Sequence, residues 1–180
     1  MSMQYIRQSL DEAARHFAAN PTDAKSQDKP ASAVLESGLR CRTEGPNGAT
    51  LVSDMAAHLG GNGSAPSPGW LLRAALANCN ATLMAMRAAQ LGIVLTRLEI
   101  TVESESDDRG MLGLADWVPP GPLSIRVSIS IAAEGASEVQ LRELVHWAEA
   151  HSPVNDAVRR AVPVTTEVRV TRPAPGHGAP

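Results

Sequence analysis

The sequence is poor in several residue types that define large classes of protein. It has only two cysteines, Cys41 and Cys79, in 180 residues. That is too few for a disulfide scaffold, and a chain of this length does not need one to build a core. Its sixteen Lys and Arg residues are scattered without a run, and the net charge is -3. Nucleic acids require a concentrated basic face, so we expect no nucleic acid as partner.

Long hydrophobic runs are also missing. The longest apolar stretch covers about residues 70–94 and is interrupted by polar side chains, namely Arg73, Asn78, Asn80, Arg87 and Gln90. A bilayer span tolerates few such groups, so we expect no membrane segment. The first residues, MSMQYIRQSLDEAARHF, contain acidic side chains and no continuous apolar core, unlike a signal peptide. We therefore expect a cytoplasmic protein.

Aromatic residues make up only 3% of the chain, with Tyr5 and Phe17 as its single tyrosine and phenylalanine, whereas alanine is abundant. A core of small side chains lets backbones approach closely but buries little surface within one chain. The composition therefore favours an oligomer.

The first 32 residues are predicted to lie apart from the main domain. A helix over residues 3–19 is predicted by apolar residues at spacings of three and four: Ile6, Leu10, Ala13, Ala14 and Phe17. Residues 20–32 are polar, contain two prolines and have no period, which is typical of a linker. We expect one domain over residues 33–171 and a disordered tail over residues 172–180.

Two helix starts of the same design lie within that domain. Ser67–Pro68 and Ser152–Pro153 each combine an N-cap serine with a proline at the first helical position. The first predicts a long helix that ends at residue 90 or 91, before Gly92. The second predicts a short helix that ends near Val162. A further helix is predicted to begin after Ser137.

Strands are predicted by turn signals and by alternation. Pro46–Gly48 joins two extended segments, and its Asn-Gly pair is a strong hairpin signal. Residues 94–105 and 123–131 alternate apolar and polar side chains, and VTTEVRV at 164–170 is predicted to be a last strand. Hairpins without a regular alternation of strand and helix predict an α+β fold with an antiparallel sheet.

Cys79 lies in the long helix, within the stretch AALANCNATLMAM. Helical spacing predicts an apolar face around it: Leu72, Ala75, Leu76, Leu83 and Met86. The opposite stripe is Arg73, Ala77, Asn80, Met84 and Arg87. Apolar surroundings disfavour a thiolate unless a cation or a hydrogen-bond donor offsets them. From spacing alone, Cys79 is either an inert buried thiol or a nucleophile that has such help.

Several segments together resemble the OsmC/Ohr family over about residues 33–171. They are the glycine-rich loop before the long helix, the helix SPGWLLRAALANCNATLMAMRAAQLGI, the Asn-Gly hairpin, VESESDDRGMLG and HSPVNDAVRRAVPVTTEVRV. The family's first cysteine, in a small-residue run of the central helix, is matched by Cys79. Its second cysteine, before a Pro-Val pair, is matched by Ser152. The resemblance implies an OsmC-like fold, with antiparallel sheets around long central helices, in which two chains form an intertwined homodimer.

The resemblance also implies a chemistry from which this sequence departs. In the family the first cysteine reduces an organic hydroperoxide and becomes a sulfenic acid, the second forms a disulfide with it, and an external dithiol reduces that disulfide. An arginine near the first hairpin and a glutamate at the start of the central helix hold the thiolate. Here Ser152 replaces the second cysteine, Gly69 and Trp70 stand where the glutamate is expected, and the turn PNGA has no arginine. Arg42, or Arg40 on the same strand, is the nearest candidate. The two-cysteine cycle within one chain is therefore impossible.

Two other residues leave alternatives open. Neighbouring residues of a strand point to opposite faces, so Cys41 cannot share a face with Arg40 and Arg42. Activation of Cys79 by these arginines and resolution by Cys41 are therefore close to exclusive, and Cys41 is otherwise a small strand residue packed in the core. His151 either reaches the site or binds the last carbonyls of its helix.

Neither a metal nor a cofactor is expected. Asp54 with His58, and Asp107 with Asp108, lack a third partner at ligand spacing.

Different functions remain open at this point. The first is a protein of the oxidative-stress response that reduces small hydrophobic peroxides through Cys79, with Ser152 and Arg42 in the site and an external thiol or dithiol as reductant. The alternative is a non-catalytic dimer that binds a small hydrophobic ligand, with Cys79 lining the pocket. A third is a purely structural, stress-related dimer.

Overall fold

The structure of the chain is a computed structural model that describes residues 2–170. Its elements in chain order are α1 (Met3–Ala19), β1 (Ser32–Ser37), β2 (Arg40–Glu44), β3 (Thr50–Ser53), α2 (Pro68–Leu91), β4 (Val94–Glu105), α3 (Asp108–Met111), β5 (Ser124–Glu134), α4 (Glu138–His151) and α5 (Pro153–Arg159). Two antiparallel sheets accompany one long helix, which confirms the predicted α+β class. None of the helices in this part of the chain has the length and apolar character needed to cross a membrane.

The helix ends follow the predicted capping residues. Ser67 accepts a hydrogen bond from the backbone amide of Trp70 at the start of α2, and Gly92 ends that helix with φ at 70°. Ser137 caps α4 together with the side chain of Gln140 in a capping box. The short helix α5 begins at the predicted proline but ends at Arg159, earlier than expected.

The first sheet has the order β1-β2-β3 and contains the predicted Asn-Gly hairpin between β2 and β3. Asn47 and Gly48 both have positive φ, at 57° and 74°, as this turn requires. The extended segment that precedes the hairpin was predicted as one piece but forms two strands. It turns at Gly38, where φ is 57°.

The two faces of this first sheet differ in chemistry. Cross-strand pairing places Leu35, Cys41 and Ser53 in one row, and Val34, Arg42 and Val52 in the next. Directly opposite residues share a face, so the face of Cys41 also carries Ala33, Thr43 and Leu51 and is mostly apolar. Leu35 is 63% exposed on it. The strands pack extensively against one another and hardly against the helices. Ala33, Leu35 and Leu51 on this face are therefore exposed within one chain, whereas Cys41 is half-buried and Ser53 is buried.

The second sheet pairs β4 with β5 and packs on α2. The core lies where α2, α4 and this sheet meet: Met84 and Ala88 from α2 contact Leu144 and Ala148 from α4. Partly buried Ile and Leu side chains of β4 and β5 close it from the other side. This core holds α2 and α4 in fixed relation, and thereby sets the distance between Cys79 and the end of α4.

The predicted last strand is wrong for the chain on its own. Residues 164–170 form no strand, and Val170 is 91% exposed. Alternation predicts how a segment would pair, but a strand also needs a free sheet edge within reach, and this segment pairs with none in the described chain. The predicted tail, residues 172–180, lies outside the described residues.

At the other end of the chain, α1 packs against α2. The domain boundary between residues 32 and 33 stays a prediction.

Candidate functional site

Cys79 lies in the middle of α2 and is half-buried. The buried residues of this helix are Leu76, Asn80, Met84, Ala88 and Ala89. The predicted faces were therefore wrong in part, because Asn80 and Met84 are buried and Leu72 is exposed. Apolar and polar residues are mixed around this helix, so its sequence gives no clear period from which to choose the buried face. Asn80 is fully buried, and its amide has no hydrogen-bond partner among the described residues.

Ser152 meets Cys79 at the junction of α4 and α5. Its hydroxyl donates to Cys79 Sγ at 3.2 Å, although the two residues are 73 positions apart. The same oxygen accepts the backbone amide of Asn155 at 3.4 Å, which is the N-cap bond of α5. Ser152 is 1% exposed. One oxygen thus accepts a backbone amide and donates its proton to the sulfur.

Asn155 is a site residue that the sequence did not reveal. It is 5% exposed, and its side-chain amide donates to the carbonyl of Glu149 at 2.7 Å. Its side-chain oxygen accepts from Arg159 Nε at 3.1 Å. The available signal was its position three residues after an N-cap serine, where the backbone amide binds the serine oxygen. Asn155 thus ties the last turn of α4 to α5 and fixes Ser152 between them.

His151 is bound to its own helix. Its Nδ1 lies 2.7 Å from the carbonyl oxygen of Trp147, and the two rings stack with centroids 4.1 Å apart. The guanidinium of Arg87 lies over the Trp147 ring, 4.5 Å from its centroid. Of the two alternatives for His151, the geometry is that of a helix-terminal residue bound to a carbonyl of the last turn.

The arginines of β2 are held by carboxylates of their own sheet. Arg42 bonds to Glu44 and, at 2.9 Å, to Glu36, and the hydrogen bonds to Glu44 and then Glu36 raise the pKa of Arg42. Arg40 bonds to Glu36 at 3.2 Å and to Ser64 at 2.8 Å. Neither guanidinium bonds to Cys79 within the described chain. The predicted role of Arg42 therefore needs a second chain or a rearrangement of these ion pairs.

The acidic residues considered as metal ligands have other partners. Asp54 is buried, and its carboxylate accepts the hydroxyl of Ser64 at 2.7 Å and three backbone amides of its loop. These bonds, first among them that of the Ser64 hydroxyl, lower the pKa of Asp54. Asp107 caps α3, and its hydrogen bonds to Arg109 lower the pKa of Asp107 to about 2. Across residues 2–170, no three His, Cys, Asp or Glu side chains come together as a metal site would require.

Two cavities of the single chain lie away from the sulfur. One of about 570 Å³ lies between β5 and α4. Another of about 450 Å³ lies at the start of α2, beside the loop that Asp54 organises. Cys79 lines neither of them, so neither encloses the sulfur in a single chain.

Solved structures from several bacteria share this fold. An organic hydroperoxide resistance protein, OsmC, from Legionella pneumophila is similar over 75% of this chain and 92% of its own, with 23% identity and a TM-score of 0.55. An OsmC-like protein from Mycoplasma pneumoniae is similar over 76% and 91%, with 16% identity and a TM-score of 0.64. An OsmC-like protein of unknown function from Vibrio cholerae is similar over 73% and 94%, with 11% identity and a TM-score of 0.61. Likeness at these identities shows the fold and leaves the activity open.

No curated protein matches the chain in sequence. The model of one family does match, under the description OsmC-like protein, over residues 61–167. This match is longer than half of the chain and includes Cys79, Ser152 and Asn155. The chain therefore belongs to the OsmC-like protein family.

Proposed function

We propose that the protein is a thiol peroxidase of the oxidative-stress response that reduces small organic hydroperoxides through Cys79 alone. The Cys79 thiolate attacks the terminal oxygen of the hydroperoxide, so that an S–O bond forms and the O–O bond breaks. The sulfur is oxidised to a sulfenic acid, and the alkoxide takes up a proton to leave as an alcohol. Structural neighbours carry the name of organic hydroperoxide resistance proteins, which supports this class of substrate.

The contact between Ser152 and Cys79 is the observation that carries the proposal. A thiolate is a stronger nucleophile than a thiol, and a thiolate formed at Cys79 accepts the hydrogen bond that the buried Ser152 hydroxyl donates to Sγ at 3.2 Å. Loss of such a hydrogen bond to a charged group changes reactivity about tenfold. Ser152→Ala is therefore expected to slow the alkylation of Cys79 by about that factor at neutral pH.

The reductant in this proposal is external. Ser152 has no sulfur, and Cys41 lies in the first sheet, which makes little contact with α2. One external thiol attacks the sulfenic acid, giving a mixed disulfide and water. A second thiol, or the other thiol of a dithiol, then displaces Cys79 and leaves as a disulfide.

A homodimer is part of the proposal, and the surface area of the chain supports it. The single chain exposes 13563 Å², whereas a compact monomer of this mass exposes about 8,300 Å². The exposed residues 160–170 contribute to the excess, and so do the exposed apolar side chains Leu35 and Leu51 of the first sheet. An excess of several thousand Å² is on the scale that obligate dimers bury. A cytoplasmic location remains a prediction.

The test compares hydroperoxide consumption by the wild type, Cys79→Ser and Cys41→Ser, with dithiothreitol or a lipoyl dithiol as reductant. We expect Cys41→Ser to keep the wild-type rate, because Cys41 takes no part in the cycle. We expect Cys79→Ser to fall to the rate of reductant alone. Equal rates for the wild type and Cys79→Ser would remove the proposal.

One observation favours a second function, the binding of a small hydrophobic ligand without catalysis. Arg42, the cation predicted for the site, is held by Glu36 and Glu44 and makes no hydrogen bond to Cys79 within residues 2–170. In that case Cys79 resists alkylation at neutral pH and a hydrophobic ligand co-purifies with the dimer. Rapid alkylation of Cys79 together with peroxide turnover excludes this alternative.

A further inference from the structure

The segment that leads from α3 to β5 exposes a cluster of apolar side chains. This apolar loop covers residues 111–123, MLGLADWVPPGPL, in which Asp116 is the single charged residue. Its exposed large apolar side chains are Met111, Leu112, Leu114, Trp117 and Leu123. Trp117 is 83% exposed, whereas Trp70 is 48% exposed. A contiguous exposed patch of this kind marks a surface that binds a partner.

The apolar loop is held at its base and is therefore preformed. The backbone amide of Leu123 donates to the carbonyl of Glu105 at 2.8 Å, where β4 ends and β5 begins. The two arms of the loop meet at Gly110, where a Cβ atom would lie 2.5 Å from the carbonyl oxygen of Pro119. Ala115, in the middle of the loop, is buried. A loop fixed at these points offers its exposed side chains to a partner at a small cost in ordering.

The two most exposed side chains of the loop have no part in the cavity or the core of the chain. Met111 and Pro122 are among the residues that line the cavity of about 450 Å³ at the start of α2. Leu114 and Trp117 do not line that cavity, and they lie outside the core between α2 and α4. Neither packing within residues 2–170 nor the cavity therefore explains a tryptophan at position 117.

A second copy of this chain is the partner that the charge and the surface area favour. The loop carries no basic side chain that would attract a nucleic acid or an anionic lipid surface, and both repel Asp116. The single chain exposes 13563 Å², which is several thousand Å² more than a compact monomer of its mass exposes. An excess of this size is what obligate dimers bury. Tryptophan is also enriched among the residues that contribute most to binding at interfaces.

We propose that Trp117, together with Leu114, anchors the interface between two copies of this chain. In a dimer with two-fold symmetry the same loop is used twice, so each copy buries its Trp117 against the other. The inference rests on the homodimer of the proposed function and adds the surface that holds it together. It does not depend on the chemistry of Cys79.

The first experiment is hydroxyl-radical footprinting of the wild type at a concentration at which sedimentation shows a dimer. Trypsin places each tryptophan in a separate peptide, with Trp117 in residues 110–126, Trp70 in 43–73 and Trp147 in 143–159. An indole that stays 83% exposed is modified at nearly the rate measured in the unfolded chain. In the desolvated centre of an interface, Trp117 is expected to be protected at least about fivefold relative to the unfolded chain.

The second experiment measures the dissociation constant of the dimer by sedimentation equilibrium. Truncation of an anchoring tryptophan weakens binding by about 30-fold, and the dimer contains two copies, so Trp117→Ser is expected to raise the constant about 1,000-fold. Val139→Ser is the matched control, because Val139 is also exposed but lies on α4, outside the loop. It is expected to change the constant by less than about threefold. Circular dichroism verifies that the Trp117→Ser monomer keeps its helices.

The outcomes separate this inference from the proposed function. A dimer in which Trp117 is modified as fast as in the unfolded chain would overturn the inference and leave the homodimer standing. A wild type that stays monomeric at every concentration would overturn both. Equal weakening by Trp117→Ser and Val139→Ser, or protection of Trp117 that requires phosphatidylserine vesicles, would also refute the anchor. A dimer with a protected Trp117 that consumes no hydroperoxide would refute the peroxidase and leave the anchor intact.

Discussion

Ser152→Cys tests the geometry of the site directly, because it supplies the second thiol that this chain lacks. Ser152 Oγ lies 3.2 Å from Cys79 Sγ, and a disulfide requires about 2.05 Å between sulfurs. The two atoms must therefore approach by about 1 Å, which small rotations about the two Cα–Cβ bonds provide. We expect the variant to form a disulfide between residues 79 and 152 when it is oxidised.

The size of the effect follows from the length of chain that the bond would close. The two residues are 73 positions apart, for which the loop-entropy estimate gives a stabilisation of about 4 kcal/mol. Loss of the serine N-cap costs about 1 kcal/mol. The oxidised variant is therefore expected to unfold in urea with a free energy about 3 kcal/mol above that of the wild type, and the reduced variant about 1 kcal/mol below it.

The assay is a thiol count and an intact mass after one equivalent of hydroperoxide, in a Cys41→Ser background. Diamide serves as a second oxidant, since it joins neighbouring thiols whether or not Cys79 reacts with peroxides. Cys79→Ser combined with Ser152→Cys is the control and should keep its single thiol. If Ser152→Cys keeps both thiols free after diamide, Ser152 and Cys79 are not neighbours in solution and the account of the site is refuted.

Further predictions concern the packing of the core, the loss of stability at acid pH and the overoxidation of Cys79. Leu144→Ala removes a side chain that is 1% exposed and should lower the free energy of unfolding by about 3 kcal/mol in urea titrations; a cost below about 1 kcal/mol would contradict the packing described. The pKa values of Asp54 and Asp107 are lowered by their hydrogen bonds, so their stabilisation is complete above the unfolded value of about 4 and is lost as the pH falls towards 2. Asp54→Asn should therefore flatten the fall of Tm between pH 4 and 2, and an unchanged slope would count against these bonds. Excess hydroperoxide without thiol should convert Cys79 of the wild type to a sulfinic acid, which mass spectrometry detects as two added oxygen atoms. The Ser152→Cys variant should instead stop at the disulfide. Equal overoxidation of the wild type and the variant would contradict the single-cysteine cycle.

The elements that could be predicted from the sequence are those with local signals. Ser67, Ser137 and Ser152 each cap a helix where the sequence placed one, because an N-cap depends on residues within one turn. The Asn-Gly hairpin and the strands β4 and β5 followed from a turn signal and from alternation. The buried face of α2 did not follow, because apolar residues occur on every side of the helix and the packing of α4 and β4 decides which side is covered.

The site could be predicted only in part, for a related reason. The resemblance pointed to Cys79 and Ser152, but no spacing joins two residues that are 73 positions apart. Their contact depends on how α2 packs against α4 and α5. Arg42 was chosen for its place near the hairpin, and its ion pairs with Glu36 and Glu44 appear only when the register of β1 and β2 is known.

The side-chain oxygen of Ser152 both caps α5 and forms the hydrogen bond to Cys79. As an N-cap it accepts the amide of Asn155, and as a donor it faces Cys79. A thiol at the same place is a weaker acceptor and a weaker donor, so cysteine would loosen the start of α5 and weaken the hydrogen bond to the sulfur. What cysteine adds is a disulfide, which resolves the sulfenic acid without a second molecule. If the proposed function holds, serine favours the attack of Cys79 on the peroxide, and the reduction of the sulfenic acid then depends on an external thiol. The concentration of that thiol, and not a motion of the chain, therefore sets how long the oxidised cysteine persists.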